Sequence, residues 1–204
     1  MVKKILLSML IAAGATSVKA QDAPYATHGL MRATATYSAG FMTNKTNNGY
    51  LQGLIEYYFD ESFSVRGDGF LFLFSRSTIS DSSIIFNYQE PLLQKSSLHA
   101  GFFWHPANHP TLDPFIGIQP GISFSQKNEL ILTEGGYTAE PLSVNPVYSI
   151  VGGLNYYSGK HFHLFLEARY LRGVHLSSAS PKYLDEFLLS FGLGFDVQLR
   201  KESR

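Results

Sequence analysis

In the stretch HFHLFLEARYL, His161 to Leu171, an imidazole, a carboxylate and a guanidinium share one parity: His163, Glu167 and Arg169. Large apolar side chains fill most of the positions between. His161 and His163 stand one strand step apart, and two imidazoles on one strand face can hold a transition metal ion. His105 and His109 lie in a Pro-rich stretch with Asp113 nearby. Neither pair has a third or fourth ligand with a defined place. The expectation is therefore histidine at an interface or in a polar lumen, with no metal and no cofactor. If the chain turns about Glu61, Glu56 faces Arg66 across two antiparallel strands. A similar turn about Gly159 sets Glu167 and Arg169 opposite Val151 and Ser149, so their charge partners must come from elsewhere. Arg32, Glu56, Arg66, Asp68, Glu167, Arg169, Glu186 and Asp196 could serve as a proton or ion pathway. They could equally be paired charges that satisfy a costly buried interior. Their near-balance of sign favours paired filling.

What positions these groups is a set of strands. Eight segments alternate apolar and polar residues between turn-rich breaks: 30–41, 49–59, 63–75, 96–105, 114–126, 146–157, 161–173 and 184–199. One parity reads, for example, Leu51, Gly53, Ile55, Tyr57, Phe59, then Phe162, Leu164, Leu166, Ala168, Tyr170, then Phe187, Leu189, Phe191, Leu193, Phe195. Across all eight segments that parity carries no charge. The other parity carries the charged groups above, together with Thr34, Thr36, Ser38, Gln52, Ser64, His99, Gln119, Ser123, Ser149, Asn155 and Ser190. An eight-stranded barrel is only just filled by side chains, so the bulky apolar set cannot fit inside. The pattern predicts an all-β, eight-stranded antiparallel up-and-down transmembrane barrel, apolar outside and hydrogen-bonded within.

The breaks sort by length. Asp60–Ser62, Pro106–Pro114 and Ser158–Lys160 are short or Pro-rich, whereas 76–95, 126–145 and 172–183 are longer and polar, as periplasmic turns and external loops differ. Tyr57, Phe59, Phe63, Trp104, Tyr156, Phe162 and Phe195 gather on the apolar parity near the short turns, where an aromatic girdle would lie. Two stretches break the pattern. Phe70, Phe72 and Phe74 fall on the interior parity, which asks for a bulge or a strand rising above the membrane. The strand-like stretch Ser83–Gln94 would extend the neighbouring strands or add a hairpin.

The first residues, MVKKILLSMLIAAGATSVKA, have a short positive region, an apolar stretch and a small-x-small ending. That is a secretory signal peptide, residues 1–20, ahead of one barrel domain at 21–204. Without the leader's three lysines, 13 basic residues face 16 acidic ones, a net charge of −3, so no basic surplus exists to hold nucleic acid. The absence of cysteine excludes disulfides, a thiol nucleophile and a lipid-modified cysteine. Asn44-Lys45-Thr46 matches a glycosylation sequon that would stay idle in a bacterial chain.

The segments LIEYYFDESFSVRGDG (54–69), DPFIGIQPGISFS (113–125), VYSIVGGLNYYSGKHFHLFLEARY (147–170) and LLSFGLGFDV (188–197) resemble the small eight-stranded outer-membrane barrels. The resemblance is to the barrel-only family common in Bacteroidetes. It implies a monomer in the bacterial outer membrane, with roles from envelope structure to adhesion. Its partners would be outer-membrane lipid and lipopolysaccharide, the barrel-assembly machinery, and an external ligand at the loops. The chain ends in QLRKESR, so Phe195 is the nearest assembly-signal aromatic. GVHLSSAS (173–180) also resembles the His-x-Ser stretch of outer-membrane lipid A deacylases. Carried over, Ser177 would be nucleophile, His175 its base and Glu186 the orienting carboxylate. Ser178 stands where that motif has Asn, and strand register turns His175 and Ser177 to the lumen. The leading expectation is a structural or adhesion-like barrel with a plugged lumen and no enzymatic activity. A deacylase-like hydrolase and a small-solute pore are the alternatives.

Overall fold

The structure, a computed structural model, describes residues 25–42, 46–77, 92–107, 109–131, 136–139, 141–176 and 182–199. The strands are β1 (Leu30–Met42), β2 (Thr46–Tyr58), β3 (Phe63–Ser77), β4 (Leu92–Trp104), β5 (Leu112–Ile131), β6 (Gly136–Ala139), β7 (Ser143–Tyr157), β8 (Phe162–His175), β9 (Lys182–Tyr183) and β10 (Glu186–Gln198). Among the described residues, eight of these close an antiparallel barrel in the order β10-β1-β2-β3-β4-β5-β7-β8, with β10 pairing back onto β8. Closure leaves no open edge among the eight. The short strands are additions at one rim: β6 folds back on the far end of β5, and β9 pairs Val174 and His175.

Alternation sets the two faces. Inward positions carry polar side chains and a minority of rings; outward positions carry Ile, Leu and Phe. Ile118 is 63 % exposed, while its neighbour Gln119 is 0 % exposed. The seven aromatics Tyr57, Phe59, Phe63, Trp104, Tyr156, Phe162 and Phe195 all stand outside at the short-turn end. Phe63 pairs with Trp104, and Phe162 with Phe195.

Register explains where the expectations hold and where they do not. Glu56 faces Arg66, because a four-residue turn joins β2 to β3. Asp60 caps that turn by accepting from the backbone N–H groups of Ser62 (2.6 Å) and Phe63 (2.7 Å). On β7–β8, however, Glu167 lies opposite Gly153 and Arg169 opposite Val151, two residues from the expected pairing. The connection there is centred one residue later, with Gly159 at φ 94°. Since nothing lies within 4 Å of a Cβ at Gly159, Gly159→Ala should destabilise only through backbone strain. A loss of about 1–2 kcal/mol in a urea-unfolding series is the expected result. On β3 the aromatic run resolves as a bulge: Gly49 pairs with Phe74 and Tyr50 with Phe72, so Leu73 is the extra residue. Phe70 stays inside, Phe72 is half-buried, and Phe74 returns to the exterior beside Tyr37.

The long loops are shorter than expected, because strands keep pairing beyond the apolar belt and so satisfy their backbone groups. β3 continues to Ser77, β4 starts at Leu92, and β5 runs on to Ile131, pairing there with β6. Positions 78–91, 132–135, 140 and 177–181 lie outside the described residues, as do 1–24, 43–45, 108 and 200–204. The leader, most of Ser83–Gln94, Asn44 and Lys45 of the sequon, and Ser177 fall within these.

Candidate functional site

The chemistry-bearing side chains stack in three layers along the interior. At the short-turn end, β1 carries Arg32 inward. Its guanidinium reaches Glu56 (3.3 Å), Asp113 (3.2 Å) and Asp196 (3.7 Å), and also donates to the hydroxyls of Tyr58 and Tyr157. Both tyrosines pass a hydrogen bond on to Asp113 at 2.8 Å. The guanidinium lies over their rings, 4.7 Å from the Tyr58 centroid and 5.4 Å from that of Tyr157. A cation so placed gains from charge, hydrogen bonds and ring faces together.

His105 joins this layer from just beyond β4. Its Nδ1 lies 2.7 Å from Asp113 and its Nε2 3.5 Å from Glu56; Ser64 and the Tyr58 hydroxyl also contact the ring. Burial works against the charged imidazolium, but the hydrogen bonds to Asp113 and Glu56 outweigh it and raise the pKa above the usual histidine value. A raised folded-state pKa contributes stability that is complete below the unfolded pKa, about 6.5. That contribution is lost as pH rises through the folded value. The barrel's denaturation midpoint should therefore fall as pH rises above about 6.5. In His105→Gln that slope should flatten, and an unchanged slope would remove His105 as its source.

Residues 25–29 pack against this layer. Tyr25 stacks on Tyr157 with ring centroids 3.8 Å apart and donates to Asp196 (3.2 Å). Ala26 packs with Leu30 and Tyr58. Burial and the adjacent Asp196 push the Tyr25 phenol pKa above its ordinary range, so it stays a donor. His163 Nδ1 approaches Asp196 at 2.8 Å without the alignment of a hydrogen bond.

The middle layer is a four-charge square. Arg66 bonds Asp68 (2.8 Å) and Glu167, while Arg169 bonds Asp68 (3.1 Å) and Glu167 (3.2 Å). Gln52 donates to both carboxylates at 3.3 Å, Gln119 donates to Asp68, and Ser149 accepts from Arg169 at 3.1 Å. The arginines also face rings: Arg66 lies 4.9 Å from the Phe103 centroid and Arg169 4.8 Å from that of Phe70. Two cations and two carboxylates, each multiply bonded, offset by mutual attraction and hydrogen bonds the cost of taking each ion out of water.

At the other end Glu186 accepts from Lys95 (2.6 Å), Asn48 (2.7 Å) and Tyr50 (2.9 Å). His175, fully buried, holds its Nδ1 2.8 Å from Ser125, 3.0 Å from Ser143 and 3.2 Å from Asn145.

The eight charged residues singled out from sequence thus all face the interior, in three separate groups. His161 and His163 do not share a face. His161 precedes β8 and stacks on Phe195 outside, whereas His163 points inward. The one-step spacing fails as a chelating pair because the strand begins only at Phe162. His109 is exposed beside Thr111, away from buried His105. Sequence reasoning missed Tyr58, Tyr157, Gln52 and Gln119 as charge partners, and Lys95, which lies in the expected 76–95 loop. Inward parity is the signal that finds the first four; Lys95 needed the earlier start of β4.

No family model matches the chain, and no curated protein does. Solved structures do match its fold. The outer membrane protein OprG from Pseudomonas aeruginosa aligns over 84 % of this chain and 97 % of its own, at TM-score 0.62 and 10 % identity. The N-terminal barrel domain of Pseudomonas aeruginosa OprF aligns over 84 % and 100 %, at 0.53 and 13 %. Ail, the attachment invasion locus protein of Yersinia pestis, solved in complex with the heparin analogue sucrose octasulfate, aligns over 84 % and 100 %, at 0.52 and 10 %. Identities this low speak to the fold: these neighbours are small outer-membrane barrels.

Proposed function

We propose that the chain is an outer-membrane barrel with a structural or adhesion-like role, exported by a leader cleaved after residue 20, whose lumen conducts no solute. The observation that carries this reading is the pairing of the interior. Arg32, the Arg66–Asp68–Glu167–Arg169 square and Lys95–Glu186 occupy successive levels, each bonded to its own carboxylates. Tyr25 closes one mouth. A water-filled path would need those pairs parted. Outside, the belt around Ile118, Leu166 and Phe191 is the surface that a bilayer covers and water does not. The aromatics near the short turns suit the inner interface, where amphipathic rings sit at headgroup depth.

The resemblance to barrel-only proteins of Bacteroidetes supports a monomer delivered by the barrel-assembly machinery, with lipid and lipopolysaccharide as its surroundings. Contacts outside the cell would fall to the rim built from the ends of β3 and β4, the β5–β6 extension and the β8–β10 connection. The mature chain's net charge of −3 speaks against a polyanion like that bound to Ail. An enzymatic role is not favoured, since His175 and Glu186 face the interior, away from acyl chains in the bilayer.

Reconstitution in planar bilayers tests the reading. The folded protein, recognised by heat-modifiable migration on gels, should leave the bilayer electrically silent, and steady single-channel steps would refute the sealed lumen. Lipid A from cells expressing it should keep its acyl chains by mass spectrometry; loss of one chain would favour the hydrolase.

A further inference from the structure

At the loop-end mouth the interior changes character. Leu184, on the two-residue link between β9 and β10, turns its side chain into the barrel and is 0 % exposed. It fills an apolar pocket made by Met42, Tyr50, Phe70, Val147, Leu171 and Leu188. Its backbone carbonyl accepts a 2.8 Å hydrogen bond from the buried Lys95 ammonium, which also holds Glu186. Leu184 continues the inward parity of Glu186 and Leu188 beyond the paired part of β10. It presents an isobutyl group to a pocket and an acyl oxygen to a buried donor. That is the pose of a ligand.

We propose that this mouth is a binding site for a small neutral acyl compound, an amide or ester with a short alkyl chain, and that Leu184 occupies it as an internal substitute. The inference goes beyond the sealed-barrel reading and rests on it only for the side from which the site is reached. Neutrality follows from charge: Lys95 and Glu186 already balance, and Asn48 and Tyr50 also donate to Glu186. An anionic head would bring an uncompensated charge into a desolvated place. Chain length is limited from below, because Phe70 and then the Arg169 guanidinium, 4.8 Å from its ring, close the pocket floor. Besides the Lys95 bond, the lid is held by Leu184 N–H donating to Gly173 O at 2.9 Å, by two paired positions of β9, and by Asp185, which accepts from Tyr170 (3.3 Å) and Gly173 N–H (3.4 Å) and stands 4.0 Å from Arg172. Local openings of this size are ordinary in folded proteins.

The test uses the full chain in lipid nanodiscs with 4-methylpentanamide, which repeats the carbonyl-to-isobutyl skeleton of Leu184, and 4-methylpentanoate as its charged counterpart. Leucine methyl NMR should show a saturable shift at Leu184, identified by its absence in Leu184→Val, with the amide and not with the carboxylate. Leu184→Ala removes the competitor, so apparent affinity should rise about tenfold or more, by the inverse of the open fraction. The neutral double variant Lys95→Met/Glu186→Gln should lose the amide's shift. Linear, unsaturating shifts of all leucines in the wild-type chain would overturn the site. Equal binding of the carboxylate would overturn its neutral-acyl assignment. Should the lumen instead be open, the wild-type chain would conduct without any probe, which separates the two failures.

Discussion

Arg32→Ala should lower the barrel's stability by about 3–5 kcal/mol, the cost of leaving buried charge without its partner. No other described side chain touches so many acceptors. Arg32 is the cation shared by Glu56, Asp113 and Asp196, and it donates to Tyr58 and Tyr157, whose hydroxyls are already committed to Asp113. His105 can offset part of the deficit at Glu56 and Asp113, and more so at acid pH where it is protonated. Among the described residues, Asp196 keeps only Tyr25 and His163. Urea titration followed by heat-modifiable migration measures the loss. Arg172→Ala is the control: that guanidinium is 53 % exposed and stands 4.0 Å from Asp185, so it should cost about 0–1 kcal/mol. Equal midpoints for the two variants would mean that the short-turn layer does not hold the barrel together.

Ile118→Arg should cost about 2–4 kcal/mol in a lipid bilayer, the depth-dependent penalty for a cation on the lipid face near the midplane. Ile118 lies midway along the barrel part of β5, between Ile150 on β7 and Phe102 on β4. Phe63→Arg, at the edge of the belt beside Trp104, should cost about 0–1 kcal/mol, as near an interface. The gradient matters more than either value. A soluble barrel would tolerate both exposed arginines alike, so equal effects would argue that no bilayer surrounds this face.

Much of the architecture was legible because a strand's period is two and its turns are punctuated. Glu56 opposite Arg66 follows from counting outward from a turn about Glu61. Counting fails where one residue is added without a sequence mark. The β7–β8 turn is centred one position beyond Gly159, and that moves Glu167 and Arg169 two places along their neighbour. Leu73 likewise enters as a bulge and divides the Phe70–Phe74 run between the two faces. The interior network was legible by parity alone, but not its grouping. That Arg66 joins Glu167 and Arg169 joins Asp68 is a contact across the lumen, decided by the stagger of nonadjacent strands. Residues 25–29 were illegible for another reason: they lie off the strands, where no period applies. Leu184, inside the expected segment 184–199, keeps its inward parity, and only its contact with Lys95 across the barrel was illegible.

The most direct test of the account is spin labelling at two neighbouring positions, which the chain permits because it contains no native cysteine. Ile118→Cys and Gln119→Cys would be labelled before folding, reconstituted in liposomes, and compared for collision with oxygen and with a water-soluble nickel complex. The label at 118 should meet oxygen freely and nickel hardly at all, as a lipid-facing site does. The label at 119 should be screened from both if that variant folds, since Gln119 is buried among Asp68 and its partners in the barrel interior. Nickel reaching 118 would contradict the outward apolar face, and nickel reaching 119 would contradict the sealed lumen.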